Sequence, residues 1–134
     1  MIGDRILIVD DERMIADTLS TIFRGIGYET FTAYNGALGL DKARQVDPQL
    51  VLSDVVMPEL DGVTMAMEIC AAMPKVRVLL FSGQAGTRSL LRNAEEHGFH
   101  FELLEKPIHP DAIIHKVAET LAGQESCCGG APAQ

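Results

Sequence analysis

Four short apolar segments of this chain each end in charged or hydroxyl residues, and longer helical patterns separate the segments. The apolar segments cover residues 5–9, 50–53, 76–81 and 101–105. Alternating strand and helix patterns are typical of repeated βα units and a parallel sheet. The carboxyl ends of parallel strands lie at one edge, where open α/β sheets bind their ligands. The residues expected there are Asp10, Asp11, Asp54, Ser82, Gly83, Lys106 and Pro107.

The pattern predicts an α/β fold with a doubly wound, flavodoxin-like, five-stranded parallel sheet in the order 2-1-3-4-5 and five helices. We expect strands at 5–9, 28–34, 50–54, 76–81 and 101–105, and helices at 12–24, 36–46, 63–73, 87–97 and 110–121. Gly25 and Gly27 are expected to close the first helix, as C-terminal glycines do. One domain is predicted over residues 1–123, followed by a disordered tail at 124–134 that contains Cys127 and Cys128.

Composition narrows the class of protein. The net charge of -8 over 134 residues argues against direct binding of nucleic acid or of a membrane surface, both of which draw on Lys and Arg. We see no apolar run of about 18 residues and no export leader, so a cytoplasmic protein is expected. Three cysteines do not form a disulfide framework. Cys70 is expected to pack as a small hydrophobe, and a reduced tail is favoured over metal capture or redox sensing by Cys127 and Cys128.

The residues expected at the sheet edge suggest a specific chemistry. Asp10, Asp11 and Asp54 would repel one another and hold protons unless a cation joined them. Carboxylate oxygens suit Mg²⁺, which usually keeps several waters and needs few protein ligands. A neighbouring ammonium, that of Lys106, indicates an anionic group beside the metal. The sequence therefore predicts a Mg²⁺-dependent phosphoryl site, since phosphoryl transfer needs mainly alignment and charge neutralisation.

These motifs resemble the receiver domain of bacterial response regulators, in its single-domain, chemotaxis-regulator-like form. The resemblance covers roughly residues 5–121. It is carried by Asp10–Asp11 after strand one, Asp54 at the end of strand three, Met57–Pro58 with Asp61–Gly62, Ser82–Gly83 after strand four, and Lys106–Pro107 after strand five.

The resemblance implies a role for each site residue. Asp54 is the phosphoacceptor, taking a phosphoryl group from the phosphohistidine of a histidine kinase or histidine phosphotransfer protein. Asp11 and Asp54 bind Mg²⁺ directly together with the backbone carbonyl of Val56, and Asp10 acts through a water. Lys106 and Ser82 contact phosphoryl oxygens, Gly83 leaves room for an attacking water, and Lys106–Pro107 is a cis peptide. Such a protein is not an enzyme with a separate substrate, although it assists its own phosphorylation and dephosphorylation.

One position departs from the family. Receiver domains often carry Tyr or Phe three residues before the lysine, and Leu103 stands there. Phosphorylation is still expected to alter partner binding through the face formed by helix four, strand five and helix five. A degenerate receiver that binds partners regardless of phosphorylation, and a phosphate sink in a relay, stay open. A flavin carrier or small-molecule enzyme is disfavoured because the first strand is not followed by a glycine-rich phosphate loop.

Each motif also has a plain structural interpretation. Asp10–Asp11–Glu12 can serve as a helix N-cap, Ser82 as a turn residue and Lys106 as a surface lysine. Met57–Pro58 and Asp61–Gly62 are also common turn sequences.

Overall fold

The computed structural model describes residues 3–83 and 87–123. Five strands and five helices alternate along this part of the chain. The strands pair in parallel in the order β2-β1-β3-β4-β5, so the predicted doubly wound α/β fold is confirmed. The elements are β1 Arg5–Val9, α1 Arg13–Ile26, β2 Glu29–Ala33, α2 Gly36–Val46, β3 Leu50–Asp54, α3 Gly62–Ala72, β4 Arg77–Ser82, α4 Thr87–Glu96, β5 Glu102–Glu105 and α5 Pro110–Ala122.

The central strands are buried on both faces, which explains their nearly continuous apolar sequences. Along β1, Leu7 and Val9 pack on one side of the sheet with residues of α2 and α3, while Ile6 and Ile8 pack on the other with residues of α1 and α5. All five residues of β3 are buried. Burial of each such side chain contributes about 1.5–3 kcal/mol. The carboxyl ends of β1 and β3 are thus held on a rigid support.

Helix α1 continues past the predicted stop. Gly25 lies inside the helix, which ends at Ile26, so the prediction that Gly25 closes it is wrong. Gly27 is the C-cap, with φ of 124°, and its N–H donates to the carbonyls of Phe23 and Arg24. Only a residue without a side chain adopts this backbone region at little cost. Packing of Phe23 against Tyr28, with ring centroids 5.8 Å apart, keeps the last turn together.

The α4–β5 side of the sheet is less buried than the centre. Of the ten residues of α4, only Thr87 and Ala94 are buried, and none of the four in β5 is. Leu103 lies in β5 opposite Leu80 of β4 and is half-buried. This side is therefore held by fewer apolar contacts than the β1–β3 side.

Two expectations concern other parts of the chain. The predicted tail at 124–134, with Cys127 and Cys128, lies outside the described residues. Cys70 is fully buried in α3 as predicted. Within residues 3–83 and 87–123, every helix is too short or too polar to cross a bilayer.

Candidate functional site

The sheet order brings three aspartates together. β1 and β3 are neighbours, and the residues at their carboxyl ends are Asp10, Asp11 and Asp54. A carboxylate oxygen from each lies within 4.8 Å of those of the other two. Asp10 and Asp54 are buried, whereas Asp11 is exposed. The predicted convergence of these carboxylates is therefore confirmed, with one member facing solvent.

Burial makes this cluster electrostatically unfavourable by itself. Desolvation raises the pKa of Asp10 from 3.8 to about 6, and the charge of Asp54 adds to the shift. The backbone N–H of Glu12, 2.9 Å from Asp10 Oδ1, acts in the opposite direction. Asp10 Oδ2 is buried and has no hydrogen-bond partner among residues 3–83 and 87–123. Buried carboxylate oxygens are normally satisfied, so this oxygen fits a cation or a water bound to one.

The pKa of Asp54 is also raised, but this carboxylate has a cationic neighbour. Burial raises its pKa above the usual 3.8, and Lys106 opposes that rise. Lys106 Nζ lies 3.4 Å from Asp54 Oδ1. The backbone N–H of Val55 donates to the same oxygen at 2.9 Å. The orientation of the Asp54 carboxylate is thus fixed by a backbone amide and by a lysine side chain.

Several contacts hold Lys106 in place. Its backbone N–H donates to the Ser82 carbonyl at 3.0 Å, and the Lys106–Pro107 peptide bond is cis. Its ammonium lies 5.0 Å from the centre of the Phe81 ring, within the range of a cation–π interaction. A Cβ built on Gly83 would lie 3.4 Å from Lys106 Cβ. Gly83 therefore lies against the lysine stem, and its predicted role in admitting water stays a prediction.

The β3–α3 loop packs closely on the backbone of Asp54. The Gly62 N–H donates to the Val55 carbonyl at 2.7 Å, and a Cβ on Gly62 would lie 2.1 Å from the Asp54 carbonyl oxygen. Any side chain at Gly62 would displace this backbone. Asp61 caps α3 by accepting from the Thr64 N–H at 2.8 Å. The Val56 side chain is 46% exposed beside the acids, and metal binding by its carbonyl stays a prediction.

Ser82 has a partner that the sequence did not reveal. Ser82 ends β4, is 4% exposed, and its Oγ lies 2.7 Å from Oγ1 of Thr87, the first residue of α4. Thr87 is 2% exposed. The sequence did contain a clue to this pair, because the helix predicted to begin at Thr87 places a hydroxyl only five positions after Ser82.

An apolar groove adjoins the acids on the side of α1. It encloses about 720 Å³ between α1 and the segment that follows β5, with Lys106 and Phe81 in its wall. Met14 of α1 is 81% exposed at this groove. The groove also contains Ile15, Thr18, Leu19, Ile22, Pro107, Ile108, Pro110 and Ile113.

Several known proteins are similar to this chain in sequence. Residues 6–118 match the family described as the response regulator receiver domain. The chain is 32% identical over 118 residues to the chemotaxis protein CheY of Bacillus subtilis, covering 87% of this chain and 97% of that protein. It is also 32% identical over 123 residues to sporulation initiation phosphotransferase F of the same organism, covering 90% of this chain and 96% of the relative.

A solved structure agrees with these sequence matches. The CheY-like response regulator receiver domain protein of Methanospirillum hungatei superposes with a TM-score of 0.81 at 27% identity, covering 91% of this chain and 96% of that chain.

Proposed function

The chain belongs to the response regulator receiver domain family, and from that premise we propose that Asp54 accepts a phosphoryl group from a phosphohistidine of a partner protein. The protein is a receiver of chemotaxis-regulator type in two-component signalling, and phosphorylation on aspartate is characteristic of the family. The observation that carries the assignment is the position of Asp54. It is the one carboxylate of the cluster that lies in contact with both Lys106 and a backbone N–H.

The residues at the site fit Mg²⁺, which receiver domains generally bind through an acidic pocket. Asp11 and Asp54 would bind the metal directly with the Val56 carbonyl, and Asp10 would act through a water. The orphaned, buried Asp10 Oδ2 supports this ligand set, because a metal-bound water would give it a partner. The metal supplies positive charge that lowers the cost of bringing a phosphoryl group to three acids.

In the proposed reaction, an Asp54 carboxylate oxygen attacks the phosphorus of the phosphohistidine. The new O–P bond forms as the P–N bond breaks, and the electron pair of that bond returns to the partner's imidazole. Lys106 follows the negative charge from the carboxylate to a phosphoryl oxygen, and the Ser82 hydroxyl donates to another. Water later cleaves the acyl phosphate, so the protein promotes changes on its own carboxylate and acts on no separate substrate.

Acetyl phosphate tests the proposal without a partner protein. Intact-mass measurement should show a Mg²⁺-dependent phosphoryl adduct on the wild type that chelation prevents. Asp54→Asn, which removes the nucleophile and keeps the shape, should carry no adduct. Asp41→Asn is a matched control, because Asp41 is an exposed aspartate of α2 paired with Arg44. Adduct formation by Asp54→Asn at the wild-type level would overturn the assignment.

The apolar groove is where we place the phosphohistidine donor. Receiver domains interact with histidine kinases or phosphotransfer proteins, and a donor must bring its histidine to Asp54. The surface beside Asp54 that can bury apolar area is the groove along α1, whose wall includes Lys106. Met14→Asp should slow phosphotransfer from a protein donor while leaving labelling by acetyl phosphate unchanged. Equal slowing with both donors would contradict docking at the groove.

The output surface proposed for the phosphorylated state is the face formed by α4, β5 and α5. Within the described residues it includes the loosely packed α4, which can move at low cost in apolar burial. A pull-down of a downstream partner tests the proposed output against the two alternatives, a phosphate sink and a phosphorylation-independent module. Pull-down of a downstream partner by wild type and by Asp54→Asn should differ only if phosphorylation controls the face.

A further inference from the structure

The start of α4 is tied to the site by a pair of buried hydroxyl groups. Ser82 Oγ and Thr87 Oγ1 lie 2.7 Å apart, and the two residues are 4% and 2% exposed. Either oxygen can be the donor. Ser82 ends β4 beside the carboxyl end of β5, and its carbonyl accepts from the N–H of Lys106, which follows β5. Thr87 is the first residue of α4.

A phosphoryl group on Asp54 changes what this pair must do. A hydroxyl has one hydrogen to donate and can accept as well. If Ser82 turns its hydrogen to a phosphoryl oxygen, the Thr87 hydrogen still needs an acceptor, and leaving a buried hydroxyl unpaired is costly. The Ser82 oxygen can supply that acceptor. The Ser82–Thr87 hydrogen bond is then kept, and two hydrogen bonds run in series from Thr87 to Ser82 and from Ser82 to the phosphoryl oxygen. Hydrogen bonds in series strengthen one another.

We propose that Thr87 is the residue that orients the Ser82 hydroxyl toward the phosphoryl group and that carries the displacement of Ser82 into α4. The inference rests on the proposed function of Asp54. Because the hydrogen bond is retained, the first residue of α4 follows Ser82. The helix is free to follow, since only Thr87 and Ala94 among its ten residues are buried. This route does not require an aromatic ring at Leu103.

A matched pair of variants isolates the Thr87 hydroxyl. Thr87→Val removes the hydroxyl at nearly constant shape, and Thr87→Ser keeps it. The chain offers a control of the same chemistry, because Ser20 Oγ and Thr30 Oγ1 form a second buried pair, also at 2.7 Å, between α1 and β2. Thr30→Val therefore deletes an equivalent hydroxyl away from the site.

Beryllofluoride, a mimic of the acyl phosphate, provides the readout in the presence of Mg²⁺. Thr87→Val should bind it about three- to tenfold more weakly than the wild type, the range expected for one net hydrogen bond. Thr87→Ser and Thr30→Val should bind like the wild type. In hydrogen exchange, beryllofluoride should change the amides of residues 87–96 in the wild type and in Thr87→Ser. That response should be lost in Thr87→Val.

The outcomes separate this inference from the proposed function. A wild type that takes up no beryllofluoride would overturn both. Wild-type binding with unchanged affinity and an intact α4 response in Thr87→Val would overturn the role of Thr87 alone. Tighter binding by Thr87→Val would overturn it equally, since that result requires the hydroxyl pair to break on phosphorylation. Weakening by Thr30→Val to the same degree would reduce Thr87 to a structural role.

Discussion

The two sides of Asp54 are built differently. On one side, β1 and β3 are almost wholly buried, and the three acids lie at their carboxyl ends. On the other, α4 buries two of its ten residues and β5 none of its four. The difference suits the separate tasks that we propose for the two sides, because phosphoryl chemistry needs fixed geometry and an output surface must move. Mobile regions are drawn from the parts of a protein with fewer buried apolar contacts.

The difference between the two sides should appear in how much a core truncation lowers the free energy of unfolding. Leu52 of β3 is 0% exposed, so Leu52→Ala should lower the free energy of unfolding by about 2–5 kcal/mol. Leu103→Ala on the half-buried β5 should cost about 1 kcal/mol, because less apolar surface returns to water. Urea unfolding measures both. Equal losses for the two variants would mean that the α4–β5 side is packed as firmly as the centre.

A second prediction concerns the energetic cost of the fixed acids. The pKa of Asp10 is about 6 in the folded protein and 3.8 in its ordinary state. Between these values the folded state binds more protons than the unfolded state. The metal-free protein should therefore gain stability as the pH falls from 7 to 5, by about 1 kcal/mol. Urea unfolding in chelator at several pH values measures this gain.

Asp10→Asn should reduce this pH dependence, because one titrating carboxyl is gone, and the part that comes from the raised pKa of Asp54 should remain. It should also lower Mg²⁺ affinity by about tenfold, as loss of an outer-sphere partner does. Mg²⁺ at saturation should flatten the wild-type dependence, since the metal takes the place of the proton. An identical pH slope for wild type and Asp10→Asn would show that another group is responsible.

The β1–β3 side was the more predictable from sequence, for a physical reason. Its strands are local apolar runs, and the handedness and order rules for βαβ units then bring Asp10 and Asp54 together. The end of α1 was missed because propensity treats Gly25 as a stop, while packing of Phe23 on Tyr28 favours another half turn. Tertiary contacts commonly override weak local preferences of this kind.

The α4–β5 side was harder to predict. The link from Ser82 to Thr87 depends on how α4 leaves the sheet, and no periodicity in the sequence encodes that direction. The position of Gly83 against the stem of Lys106 has the same origin, since β4 and β5 meet only in the folded sheet. The sequence motifs identified Ser82 and Lys106 as site residues. They did not identify Thr87 as the partner of Ser82, or Phe81 and Gly83 as contacts of Lys106.

A substitution at Leu103, with the smallest expected effect on stability, tests most directly how the α4–β5 side responds. Leu103→Tyr places a ring at the family's switch position, on a half-buried strand where the change in stability should stay within about 1 kcal/mol. If the ring adds a second route from Ser82 to the output face, the beryllofluoride response of α4 amides should grow in hydrogen exchange. Couplings of this type are about 1–3 kcal/mol.

The decisive form of this test combines Leu103→Tyr with Thr87→Val. The double variant should regain an α4 response that Thr87→Val lacks, because an aromatic ring responds to the space that Ser82 vacates and needs no hydroxyl partner. Leu103→Ala with Thr87→Val is the control for altered packing at the strand, and it should stay silent. A double variant with Tyr that is also silent would mean that this fold transmits phosphorylation to α4 through the hydroxyl pair and has no latent aromatic route.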